Sequence, residues 1–299
     1  MTQAYKTKKR AGGDTEREGT GTIVPENEVD GLGFRTITHG SGTVHFWDSG
    51  PVRDLPTVVF LHGLASTARH TWGGVLGSFR DSYRILAPDL PGHGRLGRQK
   101  FSMRGAAEYV KSILTVAGVA EYVVVGHSMG GAVAQMLAAE APSGMAGAVF
   151  VSTACTFTDQ NQDKRLKACT AAAGRGIGLV PRWVCAYFAE RLYLSRLPKE
   201  VGEKEREVCA NHDWKRIVEA LVEVRRFDSR KWIKHTKIPT LVLASTQDAV
   251  VPLDKQIHLA ETSGAKLVMG DFPHNPMTND PARAGAELLS AVGHLLEGR

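Results

Sequence analysis

The stretch Val123-Val124-Val125-Gly126-His127-Ser128-Met129-Gly130-Gly131 decides how this chain is read. Tyr122 and the three valines are aromatic and β-branched without polar alternation, which predicts a central parallel strand covered on both faces. Beyond the turn, Val133, Met136 and Leu137 recur at helical spacing, so a helix starts at once. Gly126 and Gly130 flank Ser128 at two residues on either side, where side chains would collide if the backbone held the serine strained and exposed. Strand, G-x-S-x-G and helix together have the form of a nucleophile elbow. An ordinary Gly-rich turn could carry the same five residues, and it is the flanking strand and helix that favour the elbow.

Working outward, residues 57–61 (TVVFL) form a second continuous apolar strand that runs into His62-Gly63-Leu64-Ala65-Ser66, a turn able to aim backbone donors. Residues 84–87 are a third strand, stopped by Pro88 and followed by the turn-rich Asp89-Leu90-Pro91-Gly92-His93-Gly94. A helix is expected over 103–116, and further strands over 147–152, 238–244 and 265–269, with helical patterns at 253–261 and 282–296. Ahead of all these, 34–38 and 43–47 suit an antiparallel hairpin at a sheet edge. Strands alternating with helices imply an α/β fold: a mostly parallel central sheet, helices on both faces, and functional groups at the carboxyl ends of the strands.

The alternation stops between Ala154 and Lys237. A loop of that length without structure is improbable, so 154–237 reads as an inserted helical lid, with the core in 34–153 and 238–299. Residues 1–33 carry few large apolar side chains, which predicts a flexible N-terminal arm. In the lid, Val180, Trp183, Val184, Tyr187 and Phe188 form one apolar helix face, and Trp214, Ile217, Val218, Leu221 and Val222 repeat the pattern. Such a face packs the lid on the core; over the serine it would also wall a pocket, with Trp183, Tyr187 and Phe188 as candidate substrate contacts and an apolar substrate as the inference.

A serine hydroxyl is a weak nucleophile until a base takes its proton, normally an imidazole oriented by a carboxylate. Asp248 falls on the loop after the strand over 238–244, and His274 falls after the strand over 265–269, at the edge where Ser128 stands. Asp159, after the strand over 147–152, is a competitor for the acid. Asp271 reads as a loop cap, His62 and His127 as hydrogen-bonding neighbours of the site, and His93 as a brace of its rim.

The stretches VVFLHGL, DLPGHG, VVVGHSMGG, TQDAVVP and FPHNP together resemble the α/β-hydrolase fold superfamily, in its serine-hydrolase branch with a helical lid, from about residue 34 to the end. The resemblance implies Ser128 as nucleophile, His274 as general base and acid, Asp248 as its orienting partner, and an oxyanion hole at the backbone N–H groups of Met129 and Leu64. It implies carboxylesterase activity on small to medium apolar esters with no metal or organic cofactor. Thioester, lactone or C–C bond hydrolysis, perhydrolysis, and a non-catalytic ligand receptor on the same fold are the alternatives. Relatives with a carboxylate at the elbow are disfavoured by Ser128. The glycine usual before the acid is replaced here by Ser245 or Thr246.

The composition sets limits. At 299 residues and 42% hydrophobic content the chain can bury a sizeable core, and it holds no apolar run of spanning length. Lys6, Lys8, Lys9 and Arg10 are followed by Ala-Gly-Gly-Asp and not by an apolar segment, which makes a cytoplasmic location the expectation. Cys155, Cys169, Cys185 and Cys209 lack zinc-ligand spacing and read as free thiols. The net charge of +6 invites a nucleic-acid reading, but residues 156–237 hold 18 Lys and Arg against 11 Asp and Glu, so the excess is local to the lid. No nucleic-acid, Walker or dinucleotide motif accompanies it, and the oligomeric state is not legible.

Overall fold

The structure is a computed structural model that describes residues 26–29, 32–39, 42–50, 55–158 and 212–297. Strands β1 (Glu26–Val29), β2 (Leu32–His39) and β3 (Gly42–Asp48) form an antiparallel margin. The apolar runs become interior strands: β4 (Thr57–Leu61), β5 (Arg84–Ala87), β6 (Tyr122–His127), β7 (Met145–Val151) and β8 (Thr240–Ser245) are buried at every residue. Strand β9 (Lys266–Gly270) closes the other margin. Among the described residues the order is β1-β2-β3-β5-β4-β6-β7-β8-β9, and each pair from β5 to β9 is parallel.

Helices cover both faces. On one side lie α1 (Ala68–Leu76) and the long C-terminal helix; on the other lie α2 (Met103–Val116) and α3 (Met129–Glu140). Strand residues divide between the two cores by parity: Val58, Phe60, Val123 and Val125 face the first, Val59, Leu61 and Val124 the second. That period of two is what makes an all-apolar strand the signature of a doubly covered sheet. Phe60 packs 5.1 Å from both Trp72 and Phe79, centroid to centroid, and burying each such ring contributes about 1.5–3 kcal/mol.

The described part of the insertion contributes α4 (Trp214–Arg226), and after the insertion come α5 (Leu253–Ser263), α6 (Pro276–Asn279) and α7 (Pro281–Glu297). No described helix is long and apolar enough to cross a membrane.

Three expectations change. The stretch assigned to the flexible arm contains β1 and the first residues of β2, because a polar strand such as Glu26–Val29 is held by backbone pairing and not by an apolar face. Helix α1 was not expected, since Gly73 and Gly74 lower helix propensity in its interior; Thr67 caps it, accepting from His70 N. In α4 the expected Trp214, Ile217 and Val222 are buried, together with Ala220 and Val224, while Leu221 is exposed.

The described parts of the segment read as a lid are its two stems. Thr156 bridges Asp228 antiparallel, and Ser229 N donates to Cys155 O at 2.9 Å. Residues 159–211, and with them Asp159, Trp183, Tyr187, Phe188, Cys169, Cys185 and Cys209, lie outside the described residues. Cys155 is buried and free.

A buried ion pair ties the antiparallel margin to the parallel sheet. Arg84 on β5 donates to both oxygens of Asp48 on β3, at 3.1 and 3.0 Å, and Arg35 on β2 reaches Asp48 at 2.6 Å. Asp48 is 1% exposed. Asp48→Ala leaves the Arg84 charge buried without its partner and is expected to cost about 3–5 kcal/mol, measured by urea unfolding. A loss under about 1 kcal/mol would mean that water reaches Arg84 and the pair behaves as a surface one.

Candidate active site

Strand register builds the site. Leu61 on β4 pairs with Gly126 on β6, so the turn His62-Gly63-Leu64 leaves the sheet beside His127-Ser128-Met129. Gly126 pairs with Phe150 on β7, Val151 with Leu243 on β8, and Ser245 with Gly270 on β9. The loops bearing Ser128, Asp248 and His274 therefore leave the same edge of the sheet, two strands apart from first to second.

Ser128 has φ 52° and ψ −114°, a region that favours glycine, and holding it there costs about 1–3 kcal/mol. Neighbours offset the strain: Ser128 N donates to Val151 O at 2.9 Å, and Thr153 Oγ1 donates to Ser128 O at 2.8 Å. The two glycines are required by contact. A Cβ at Gly126 would strike the backbone of Gly130, and one at Gly130 would strike the carbonyl oxygen of Leu61. A side chain at Gly126 would force β6 and the start of α3 apart, and one at Gly130 would push the elbow off the end of β4.

The Ser128 hydroxyl lies 3.1 Å from His274 Nε2, and His274 Nδ1 lies 2.8 Å from Asp248 Oδ2. Asp248 accepts at Oδ1 from the amides of Val250 and Val251, both at 2.8 Å, and its side chain is shielded from solvent. The structure thus brings Ser128, His274 and Asp248 into one hydrogen-bonded line. Met129 N is the first amide of α3, where helix geometry offers no acceptor. The turn bearing Leu64 packs against the elbow: a Cβ on Gly63 would stand 2.9 Å from His127 Nδ1 and 3.5 Å from Ser128 Cβ.

Four further imidazoles surround this line, and their partners leave the base position to His274. His127 Nε2 donates to the His274 carbonyl at 2.8 Å, its ring 4.9 Å from that of His274. Burial, with the nearby His274 charge, pushes His127 down to about 3, so it is neutral at neutral pH. His62 Nδ1 donates to Gly63 O at 2.7 Å and its Nε2 accepts from Leu90 N at 2.8 Å, which assigns its neutral tautomer; burial lowers its pKa. His93, fully buried against Pro91 O, is lowered well below the usual value by burial. His212, before α4, is lowered by burial to about 4. Neutral and with donors already committed, His62 and His127 brace the His62-Gly63-Leu64 turn and the His274 loop, in keeping with the expected hydrogen-bonding role.

Asp271 accepts from Thr246 Oγ1 at 3.0 Å and Gln247 Nε2 at 2.7 Å, bracing the acid loop from outside. Asp89 accepts from Ala68 N at 2.9 Å and Arg95 N at 3.1 Å, fixing the start of α1 just after the His62-Gly63-Leu64 turn. Sequence reading missed Gln256, fully buried on α5. Its signal was a polar residue three positions from Leu253 and three from Leu259, on an apolar stripe. Among the described residues no three His, Cys, Asp or Glu side chains converge where a metal ion could sit.

The profile of the Alpha/beta hydrolase family matches residues 58–294, and the chain belongs to that family. RutD of Escherichia coli O9:H4 (strain HS), which carries the name of a proposed carbamate hydrolase, is 24% identical over 263 residues, covering 83% of this chain and 96% of that one. The magnesium-chelatase 30 kDa subunit of Rhodobacter capsulatus is 35% identical over 106 residues, 34% of this chain and 37% of that protein, so the match spans little more than a third of its length. The solved structure of a thermophilic esterase from Thermogutta terrifontis superposes with a TM-score of 0.68 at 23% identity, covering 88% of this chain and 98% of that one. Family membership and these relatives support a hydrolytic activity.

Proposed function

We propose that this chain is a serine hydrolase that cleaves carboxylic esters of small to medium apolar substrates through an acyl-enzyme on Ser128. The observation that carries the reading is the continuous line Ser128 Oγ, His274 Nε2, His274 Nδ1, Asp248 Oδ2 at 3.1 and 2.8 Å. In the first half-reaction His274 Nε2 takes the Ser128 proton as Oγ attacks the ester carbonyl. The tetrahedral oxyanion is held by the N–H groups of Met129 and Leu64, and the alcohol leaves with the proton from His274. In the second half-reaction His274 deprotonates a water that attacks the acyl carbonyl, and the acid departs as Ser128 regains its proton. Each oxyanion donor is worth about 100- to 1000-fold in rate.

The apolar substrate class is inferred from the sequence pattern in which Val180, Trp183, Val184, Tyr187 and Phe188 recur at helical spacing. A panel of p-nitrophenyl esters of rising acyl length, with thioester, lactone and carbamate controls, tests the reading. Highest kcat/KM is expected on a short or medium acyl ester. A preference for the carbamate or lactone at least about tenfold above every ester, about 1.4 kcal/mol of differential transition-state binding, would reassign the bond that is cleaved.

A further inference from the structure

Helix α5 buries one polar side chain beneath the acid loop. Gln256 is 0% exposed, on a stripe shared with Leu259 and Ala260. Its Oε1 accepts from Ser245 N at 3.0 Å; its Nε2 donates to Val251 O at 2.8 Å, to Asp248 Oδ2 at 3.2 Å and, longest, to Ser245 O at 3.4 Å. A second buried polar pair, Ser152 Oγ to Ser245 Oγ at 2.8 Å, ties the ends of β7 and β8 directly alongside. Ser245 is one of the two residues standing where a glycine was expected, and these contacts give its side chain and backbone buried partners.

The arrangement fixes a carboxylate that would otherwise have one anchored oxygen. The amides of Val250 and Val251 both hold Oδ1. An aspartate held at one oxygen still rocks about its terminal torsion, which is broad and roughly two-fold. Apart from Gln256, the one described partner of Oδ2 is His274, the group that Asp248 has to orient. The Gln256 amide therefore supplies the second anchor, and an N–H donated to an ionised oxygen is among the stronger hydrogen bonds a protein makes. The same amide spans the end of β8 and the turn into α5, so the plane of the carboxylate is referenced to the sheet.

We propose that Gln256 is a positioning residue for the acid: it sets the plane of the Asp248 carboxylate so that Oδ2 meets His274 Nδ1. This rests on the reading of Ser128, His274 and Asp248 as the catalytic set. In the full chain, Gln256→Leu is expected to lower kcat by about 10- to 100-fold with KM changed less than about twofold, because a small misplacement of a catalytic group costs on that order. The low-field proton resonance of His274 Nδ1–H is expected to shift or broaden in step, which a merely structural residue would not cause. Gln256→Glu keeps the length and the acceptor for Ser245 N but turns a carboxyl oxygen toward Asp248; the same two losses are expected, and this variant decides the question if the leucine variant fails to fold.

A folded variant with wild-type kcat overturns the proposal, as does a kcat loss with the His274 resonance unchanged. Failure of the underlying reading looks different, since it shows in the unmodified chain as absence of fluorophosphonate labelling at Ser128.

Discussion

Ser128→Ala is expected to abolish labelling by a fluorophosphonate probe and to lower ester turnover by about a million-fold, the loss found when a triad serine is removed from an enzyme whose oxyanion hole stays intact. The physical reason is that the alternatives near the site are spoken for. His127, His62 and His93 are neutral and already bonded to carbonyl oxygens, and Cys155 is buried, its thiol pushed up by burial and so not available as thiolate at neutral pH. No described side chain inherits the role of Ser128. Residual turnover of about 1000- to 10,000-fold over water is expected from binding and the two backbone donors alone. The measurement is initial rate on the best ester of the panel, with intact-mass detection of the probe adduct. An alanine variant that kept even a hundredth of the wild-type rate would place the nucleophile elsewhere.

Asp248→Asn is expected to lower kcat by about 10,000-fold while leaving the protein folded. An amide at this position keeps the acceptors for Val250 N and Val251 N at one end. With its single oxygen used there, it turns an N–H toward His274 Nδ1, and an N–H there forces the imidazole into the tautomer that cannot take the Ser128 proton. Asp159→Asn is expected to change kcat by less than about tenfold. The pair of variants discriminates, because they alter the same functional group at two positions, one following β7 in the sequence and one following β8. A larger loss at Asp159 would move the acid to the earlier loop and leave Asp248 as a loop brace.

Much of this was legible in the chain because the signals are local. The valines of β6, the flanking glycines of Ser128 and the helix pattern after it need only neighbours a few residues away, and the structure returns that strand and helix with boundaries close to those expected. Helix α2 matches its expected range of 103–116, since its apolar face repeats at helical spacing without interruption. What escaped detection lacked such a signal. Strand β1 is polar and held by main-chain pairing, and α1 carries two glycines. Gln256 counts as a surface residue until the loop it supports is seen folded over it.

By itself, then, the sequence determined a serine at the tip of a tight turn, a parallel sheet covered on both faces, and an aspartate and a histidine at the ends of later strands. Only the tertiary structure decided that these side chains meet. Ser128 and His274 are 146 residues apart and Asp248 and His274 are 26 apart. Contacts over such separations are set by strand register across β4, β6, β7, β8 and β9. Each residue's pattern shows which face it buries, with a period of two, but the position along the neighbouring strand that it stands beside emerges only when all the apolar faces are covered at once.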